Sequence, residues 1–178
     1  MFEGKPYVVV VQTHQSVIDG LREQVSPFSH NHIIYTTNPG DVLCELLVNP
    51  VDIIVSGQHF YQSDLHSFEE VLNLYERVME EGAHLINEHY KPPISGPCNG
   101  SELCREVHRI KSNLPVFRFS LTPDQPGEFA GDIPKEGNDS KLVEFLESPF
   151  LSWACAGGDW ESLIKLFPNI IFYEQNLR

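Results

Sequence analysis

Residues 99–120 read NGSELCREVHRIKSNLPVFRFS, and this stretch holds the clearest local signals of the 178-residue chain. Its first half predicts a helix from Ser101 to about Lys111, and the apolar run from Leu114 to Ser120 predicts a strand that ends in a hydroxyl residue. The preceding segment, residues 91–100, holds three prolines and two glycines and is therefore expected to be a loop. The stretch predicts a loop, a helix and then a strand.

The segments before this stretch repeat the alternation of strand and helix. Tyr7 to Val11 is a continuous apolar and β-branched run, which is typical of a strand buried on both faces of a parallel sheet. His32 to Thr37 and Val51 to Ser56 are strand-like in the same way. Apolar residues at helical spacing follow the first two runs, between Val17 and Val25 and between Val42 and Leu47. Two strand–helix units and a third strand are predicted.

The segments after residue 120 continue the pattern. Phe129 to Ile133 is a short strand candidate, and Ser140 to Leu146 is a helix candidate. A turn at 157–158 is followed by a predicted helix from Trp160 to Phe167 and a predicted strand from Asn169 to Tyr173. Strands that alternate with helices imply βαβ units, so we predict an α/β fold with a doubly wound parallel sheet and helices on both faces.

Composition restricts the classes of function. The chain is 41% hydrophobic and 21% charged, and 25 acidic residues outnumber 12 basic ones, for a formal net charge of -13. This balance offers no basic surface for a phosphate backbone, so nucleic acid is not an expected partner. No segment approaches the roughly 18 apolar residues of a membrane span, and the first six residues do not resemble a signal peptide. The sequence therefore predicts a cytoplasmic protein with no membrane contact.

The four cysteines are too few and too scattered for a disulfide scaffold, so reduced thiols are expected. Cys104 falls on an apolar helix position and is predicted to be in the core. Cys98 lies in the Pro/Gly-rich loop and is the more reactive candidate. The eight histidines have no useful metal-ligand spacing: His84 and His89 are five residues apart, and His59 and His66 lie in a segment without periodicity. No metal site and no cofactor are predicted.

Together these stretches resemble a two-component response-regulator receiver domain, which has a flavodoxin-like α/β fold. Residues 7–25 resemble its first strand and helix, and residues 33–56 resemble its next strand, helix and strand. Residues 99–120, with the Asn-Gly pair, the Glu-Leu-Cys-Arg run and the Leu-Pro-Val strand, resemble its third helix and fourth strand. Ile133-Pro134-Lys135 resembles the end of its fifth strand. The resemblance implies a five-stranded parallel sheet.

The resemblance also places the family's phosphoacceptor pocket on named residues. Family chemistry uses carboxylates after the first and third strands, because a hard cation needs anionic oxygens to bridge to a phosphoryl group. The acidic pair falls here on Gln12 and Thr13, and the phosphoacceptor falls on Gly57. The hydroxyl and the lysine that hold phosphoryl oxygens have counterparts in Ser120 and Lys135. The chain therefore resembles a pseudo-receiver without the phosphoacceptor and the acidic pair.

Two segments depart from the family's length. Residues 58–98 are predicted to be a helical insertion after the third strand, and residues 148–178 a C-terminal α/β extension of one receiver-like domain over 1–178. Only 15 positions separate residues 120 and 135, which leaves little room for the family's fourth helix. The insertion helix, from Phe68 to Met79, is expected either to contact a partner or to pack over the sheet. Its candidate contact residues are Val71, Leu72, Tyr75, Val78 and Met79.

These observations predict a non-enzymatic regulatory or scaffolding domain in signal transduction, which acts on a protein partner and is not switched by aspartyl phosphate. The alternative is a small-ligand or anion binder, or an enzyme, with a pocket at the C-terminal strand edge around Ser120, Lys135 and Cys98. In that alternative, Cys98 could act as a nucleophile with His14 or His59 as its base. A third hypothesis is phosphorylation at an unorthodox residue such as Asp64. The oligomeric state is left open.

Overall fold

One six-stranded sheet organises the protein. The computed structural model describes residues 5–27, 29–60, 65–81, 87, 89–92, 96–121, 125–155, 157 and 159–177. The strand order is β2-β1-β3-β4-β5-β6, in which the first five strands are parallel and β6 is antiparallel to β5. The strands are β1 (Tyr7–Val11), β2 (His32–Thr36), β3 (Ile53–Ser56), β4 (Val116–Ser120), β5 (Gly131–Pro134) and β6 (Ile171–Phe172). The predicted five-stranded parallel sheet is confirmed, and the C-terminal extension adds a sixth strand.

Seven α-helices connect or cover these strands in the described part of the chain. They are α1 (Gln15–Gln24), α2 (Pro39–Val48), α3 (Leu65–Glu81), α4 (Gly100–Ile110), α5 (Ser140–Glu147), α6 (Phe150–Cys155) and α7 (Trp160–Leu166). Helix α2 begins at Pro39, three residues before the predicted run from Val42, because the Asn38 side chain accepts a hydrogen bond from the Gly40 N–H at 2.8 Å and Pro39 supplies a φ suited to the first helical position. A short 3₁₀ helix, Glu174–Asn176, follows β6.

Two apolar cores lie on opposite faces of the sheet. Side chains of β1 alternate between them: Val9 and Val11 pack with α2, α3 and α4, while Val8 and Val10 pack with α1, α5, α6 and α7. All five residues of β1 are buried, as the continuous apolar run predicts for an interior parallel strand. The structure is thus α/β and doubly wound, with helices on both faces.

The insertion helix α3 packs on the face that holds α2 and α4. Phe68, Val71 and Val78 are buried in the core of that face, and α3 packs against α2. Packing over the sheet, which is one of the two expectations for this helix, therefore buries much of its apolar surface. Val71 and Val78 belong to the core and are not available to a partner.

The connection from β4 to β5 is shorter than in the resembled family. Its described residues, 121 and 125–130, contain no helix, as the spacing predicted. Phe129 from this connection fills part of the core beside α4. Helix α6 was not predicted, because a six-residue helix directly after Pro149 has too little apolar periodicity to be recognised. No helix in the described ranges is long and apolar enough to cross a membrane.

Candidate functional site

The carboxyl ends of four parallel strands meet at a cleft of about 370 Å³. Gln12 and Thr13 follow β1, Gly57 follows β3, Ser120 ends β4, and Lys135 follows β5, and all five line this cleft. Ligands of open α/β sheets bind at this edge. The structure therefore brings together every residue that the resemblance assigned to the phosphoacceptor pocket.

The side chain of Gln12 lies over Gly57. Gln12 is only 5% exposed, and a Cβ added at Gly57 would stand 3.3 Å from its Oε1, which is tighter than an ordinary contact. A longer side chain at position 57 would therefore have to displace the glutamine. The Gln12 Nε2 atom is buried and has no hydrogen-bond partner in the described part of the chain. A neutral amide thus occupies the space between the ends of β1 and β3.

The two hydroxyl groups of the cleft are bonded to the segment that follows Gly57. The Thr13 hydroxyl donates a hydrogen bond to the carbonyl oxygen of His59, and the Ser120 hydroxyl donates one to the Oε1 atom of Gln58. These bonds join the ends of β1 and β4 to the loop after β3. Sequence reasoning did not identify Gln58, because comparison with the family ends at the phosphoacceptor position.

Lys135 supplies the permanent positive charge of the cleft. Its ammonium group lies 5.4 Å from the centre of the Phe119 ring, a favourable cation–π distance. His14 and His59 also line the cleft, and none of the lining residues is an aspartate or a glutamate. This site therefore favours anions over cations.

The loop after β3 is tied to the residues that precede α4. His59 and Asn99 form an antiparallel bridge, the Phe60 N–H donates to the Cys98 carbonyl at 3.0 Å, and the Gly100 N–H donates to the Gln58 carbonyl at 2.9 Å. The insertion therefore leaves and re-enters the domain at one place. A Cβ at Gly100 would lie 2.4 Å from the Gly57 carbonyl oxygen, so this approach requires glycine.

Helix α4 begins with paired caps at this same place. The Asn99 side chain accepts a hydrogen bond from the Glu102 N–H at 2.9 Å, and the Glu102 carboxylate accepts one from the Cys98 N–H at 2.7 Å. Such reciprocal bonds satisfy the free N–H groups of a helix start. Cys98 is exposed and does not line the cleft, so the structure does not place it with Ser120 and Lys135.

The other titratable candidates do not assemble into a site. In the portions of the chain that the structure describes, no group of three or more His, Cys, Asp or Glu residues is placed to hold a metal ion. Asp64 and His84 lie outside the described residues, as does the side chain of His66. Cys104 is buried, and burial raises the pKa of its thiol. Asp52 lies at the opposite end of β3, where its carboxylate accepts a hydrogen bond from the Tyr7 N–H at 2.8 Å.

The remaining partner candidates on α3 differ in exposure. Leu72 is 44% exposed. Tyr75 is partly buried, and its ring meets that of Tyr90 edge-on at 5.8 Å. Met79 is also partly buried against the core. Of the five candidates, Leu72 offers the most apolar side-chain surface to solvent.

A buried polar cluster that sequence reasoning missed lies between β4 and β5. Arg118 and Asp132 are paired in the sheet register and form a salt bridge at 2.6 Å, and the Tyr173 hydroxyl donates to the same carboxylate. Burial raises the pKa of Tyr173, and its bond to Asp132 raises that pKa further. Burial opposes the charged form of Arg118, but Asp132 holds the pKa of the guanidinium above its ordinary value. An arginine within an apolar strand was the signal that could have revealed the cluster.

Comparisons with solved structures agree with this architecture. The signal receiver domain of an HD domain-containing protein from Pseudomonas fluorescens matches with 14% identity over 78% of this chain and 89% of that chain, at a TM-score of 0.50. A CheY-like receiver domain protein from Methanospirillum hungatei matches with 11% identity over 86% and 99% of the two chains, at a TM-score of 0.53. This chain has the receiver fold.

A third match extends the likeness. A two-component response regulator of the LuxR family from an Aurantimonas species has 14% identity to this chain, covers 90% of it and 99% of its own length, and gives a TM-score of 0.51. No protein-family model matches the chain, and no curated protein matches it significantly. At these identities the likeness concerns the fold, so function has to be argued from the cleft and the surface.

Proposed function

We propose that this protein is a receiver-fold domain that does not accept a phosphoryl group and that acts in signal transduction as a regulatory or scaffolding domain through protein contacts. The observation that carries the proposal is the cleft at the strand ends, in which Gln12, Thr13 and Gly57 stand where the resembled family has carboxylates. In this proposal the domain is not an enzyme and requires no cofactor.

The chemistry of the cleft supports this proposal in two ways. Mg²⁺ binds to anionic and carbonyl oxygens, and a cleft with Lys135 and no lining carboxylate repels it. Phosphoryl transfer to a side chain also needs a nucleophile, and Gly57 has none. Because Gln12 already fills the space over Gly57, position 57 has neither a nucleophile nor the room for one.

The surface charge favours a basic partner. Acidic residues outnumber basic ones by 25 to 12, and a partner with a basic patch would be steered toward such a surface. We also propose a cytoplasmic location, which the free thiols of Cys44, Cys98 and Cys104 support, because reduced cysteines are typical of reducing compartments. Nucleic acid and membranes are not among the proposed partners.

The decisive experiment is an intact-mass measurement after incubation with acetyl phosphate and Mg²⁺. An orthodox receiver domain treated in parallel shows that an aspartyl phosphate survives the procedure. We expect no added phosphoryl group on this chain. A stoichiometric gain of mass would overturn the proposal, and peptide mapping would then show whether Asp64 or another residue is modified.

A second candidate function is supported by the unpartnered Gln12 amide. Its buried Nε2 group lacks an acceptor among the described residues, and it lines the same cleft as Lys135. An oxyanion such as phosphate would satisfy this donor and neutralise the lysine. Cys98 does not line the cleft, so this observation favours an anion binder over an enzyme with a cysteine nucleophile.

Thermal unfolding in inorganic phosphate tests the second candidate. A ligand that binds only the folded state raises the melting temperature with concentration. At constant ionic strength, we expect phosphate to raise the Tm of the wild type more than chloride does, and Lys135→Ala to abolish the difference. Lys165→Ala, on the exposed side of α7, is the matched control and keeps the response. An equal response of wild type and Lys135→Ala would exclude the cleft as the anion site.

A further inference from the structure

An apolar groove of about 650 Å³ lies on the C-terminal extension, away from the cleft at the strand ends. Its walls come from the end of α5, from α6 and from the end of α7. Trp153 and Leu166 both line this groove, and they are 51% and 49% exposed. Large apolar side chains with this exposure on two adjacent helices indicate an interaction surface.

The walls of the groove are held in place by the core beneath them. On α6, Leu151 and Ala154 are buried while Trp153 is turned outward, and the rings of Phe150 and Trp153 meet edge-on at 4.9 Å. On α7, Leu163 is fully buried next to the exposed Leu166. The groove is therefore formed without a ligand, which lowers the entropy cost of binding.

The charges along the groove have one sign. The charged residues that line it are Glu144, which is exposed, and Glu147, whose carboxylate accepts a hydrogen bond from the Ser26 N–H at 2.9 Å. No lysine or arginine is among the lining residues. The anchored glutamate and its neighbour on α5 thus give the apolar groove an acidic rim, within a chain of net charge -13.

We propose that this groove binds an amphipathic helix of a partner protein, with large apolar side chains against Trp153 and Leu166 and with lysine or arginine beside Glu144 and Glu147. Helices bind grooves in this way when their apolar residues recur at intervals of three and four. The acidic rim selects a basic helix and increases the rate of encounter. This assignment rests on the proposed scaffolding role and identifies the surface on which the domain binds its partner.

Binding of model peptides tests the proposal. The probe is a labelled amphipathic peptide of leucine and lysine, and its counterpart has the same leucines with glutamate in place of each lysine. A third peptide keeps the lysines and replaces the leucines by serine. By fluorescence anisotropy we expect the leucine–lysine peptide to bind at least about tenfold more tightly than either of the others. Trp153→Ser and Leu166→Ser are each expected to weaken it by about tenfold or more.

Val48→Ser is the matched control, because it removes an exposed apolar side chain from the end of α2, which packs on the opposite face of the sheet. The control is expected to bind the peptide as the wild type does. The proposal is overturned if Val48→Ser weakens binding as much as Leu166→Ser, or if the three peptides bind alike. It is also overturned if sedimentation shows a dimer of the wild type that Trp153→Ser dissociates, since a second copy would then occupy the groove.

The acetyl phosphate measurement on the same preparations separates the two proposals. A chain that stays unmodified but does not discriminate among the peptides contradicts the groove alone. A chain that gains a phosphoryl group contradicts the pseudo-receiver, whatever the peptides show.

Discussion

The guanidinium of Arg118 on β4 donates two hydrogen bonds to the carboxylate of Asp132 on β5, from Nε to Oδ1 at 2.6 Å and from Nη2 to Oδ2 at 3.0 Å. Both residues are almost fully buried, and the guanidinium also stacks 4.7 Å from the centre of the Phe129 ring. The connection from β4 to β5, next to this pair, has no helix among its described residues. A two-point ion pair and an aromatic ring therefore take part in covering this end of the sheet.

Removing one member of this pair should strongly destabilise the folded protein. Asp132→Asn leaves a buried guanidinium without its counterion, and we expect a loss of about 3–5 kcal/mol in the free energy of unfolding, measured by urea denaturation. The double variant Arg118→Met, Asp132→Leu should lie closer to the wild type, because it removes both charges. Arg109→Gln, which breaks the exposed pair with Glu106, is the control and should cost about 1 kcal/mol or less. An equally small loss in Asp132→Asn would contradict this account.

The close approach at Gly100 predicts a second loss of stability. In Gly100→Ala the new methyl group would meet the Gly57 carbonyl oxygen at 2.4 Å, and neither backbone can yield easily. We expect a loss of about 1–3 kcal/mol in urea denaturation. Gly20→Ala is the matched control on α1, where the nearest atom lies at 3.8 Å, and it should gain about 0.5–1 kcal/mol from helix propensity. A Gly100→Ala protein as stable as the wild type would show that the loop and α4 move apart freely.

Ionisation of the Tyr35 hydroxyl should contribute to the unfolding of the protein at alkaline pH. Burial raises the pKa of Tyr35 from 10.0 to about 12, Arg22 opposes this shift and Glu147 adds to it. Below pH 10 the hydroxyl is protonated in both states, whereas between pH 10 and 12 it ionises in the unfolded chain first. Stability is therefore lost as pH rises through this window. Denaturation at a series of pH values should show a shallower loss for Tyr35→Phe, and an unchanged slope would contradict the shift.

Thiol reactivity should distinguish the cysteines. Burial raises the pKa of Cys44 to about 11 and also raises that of Cys104, so both remain protonated at pH 8. Cys98 is exposed and should react rapidly with a thiol reagent such as Ellman's. Cys98→Ser should remove one equivalent from the rapid phase, whereas Cys104→Ser should leave that phase unchanged. If Cys104→Ser removed a rapid equivalent, α4 would be more open than its burial implies.

The fold could be predicted because its signals are local. The apolar, β-branched run at Tyr7–Val11 is typical of a strand buried on both faces, and the apolar residues from Val42 to Leu47 recur at helical spacing. Lys135 was assigned to the cleft by the resemblance to the receiver family, and it lies there because it directly follows β5. The predicted positions at this edge are adjacent in the structure because parallel strands end together.

The remaining features depend on contacts between distant residues. The bond between Ser120 and Gln58 joins positions 62 residues apart, and the pairing of Arg118 with Asp132 depends on the register of two strands. For Val71 and Leu72, amphipathic periodicity identifies two neighbours on a helix but not which of them faces α2. Which of the two is buried depends on packing against another element, and sequence spacing alone does not contain that information.

The antiparallel bridge between His59 and Asn99 determines where a change of length between β3 and β4 is tolerated. Residues 59–60 and 98–99, on either side of the segment 61–97, are hydrogen-bonded to each other, so the segment begins and ends at one place beside β3 and β4. Doubling such a loop costs only about 0.6 kcal/mol. A segment of a different length can therefore join these residues at a small cost in closure entropy, with the register of β3 and β4 preserved.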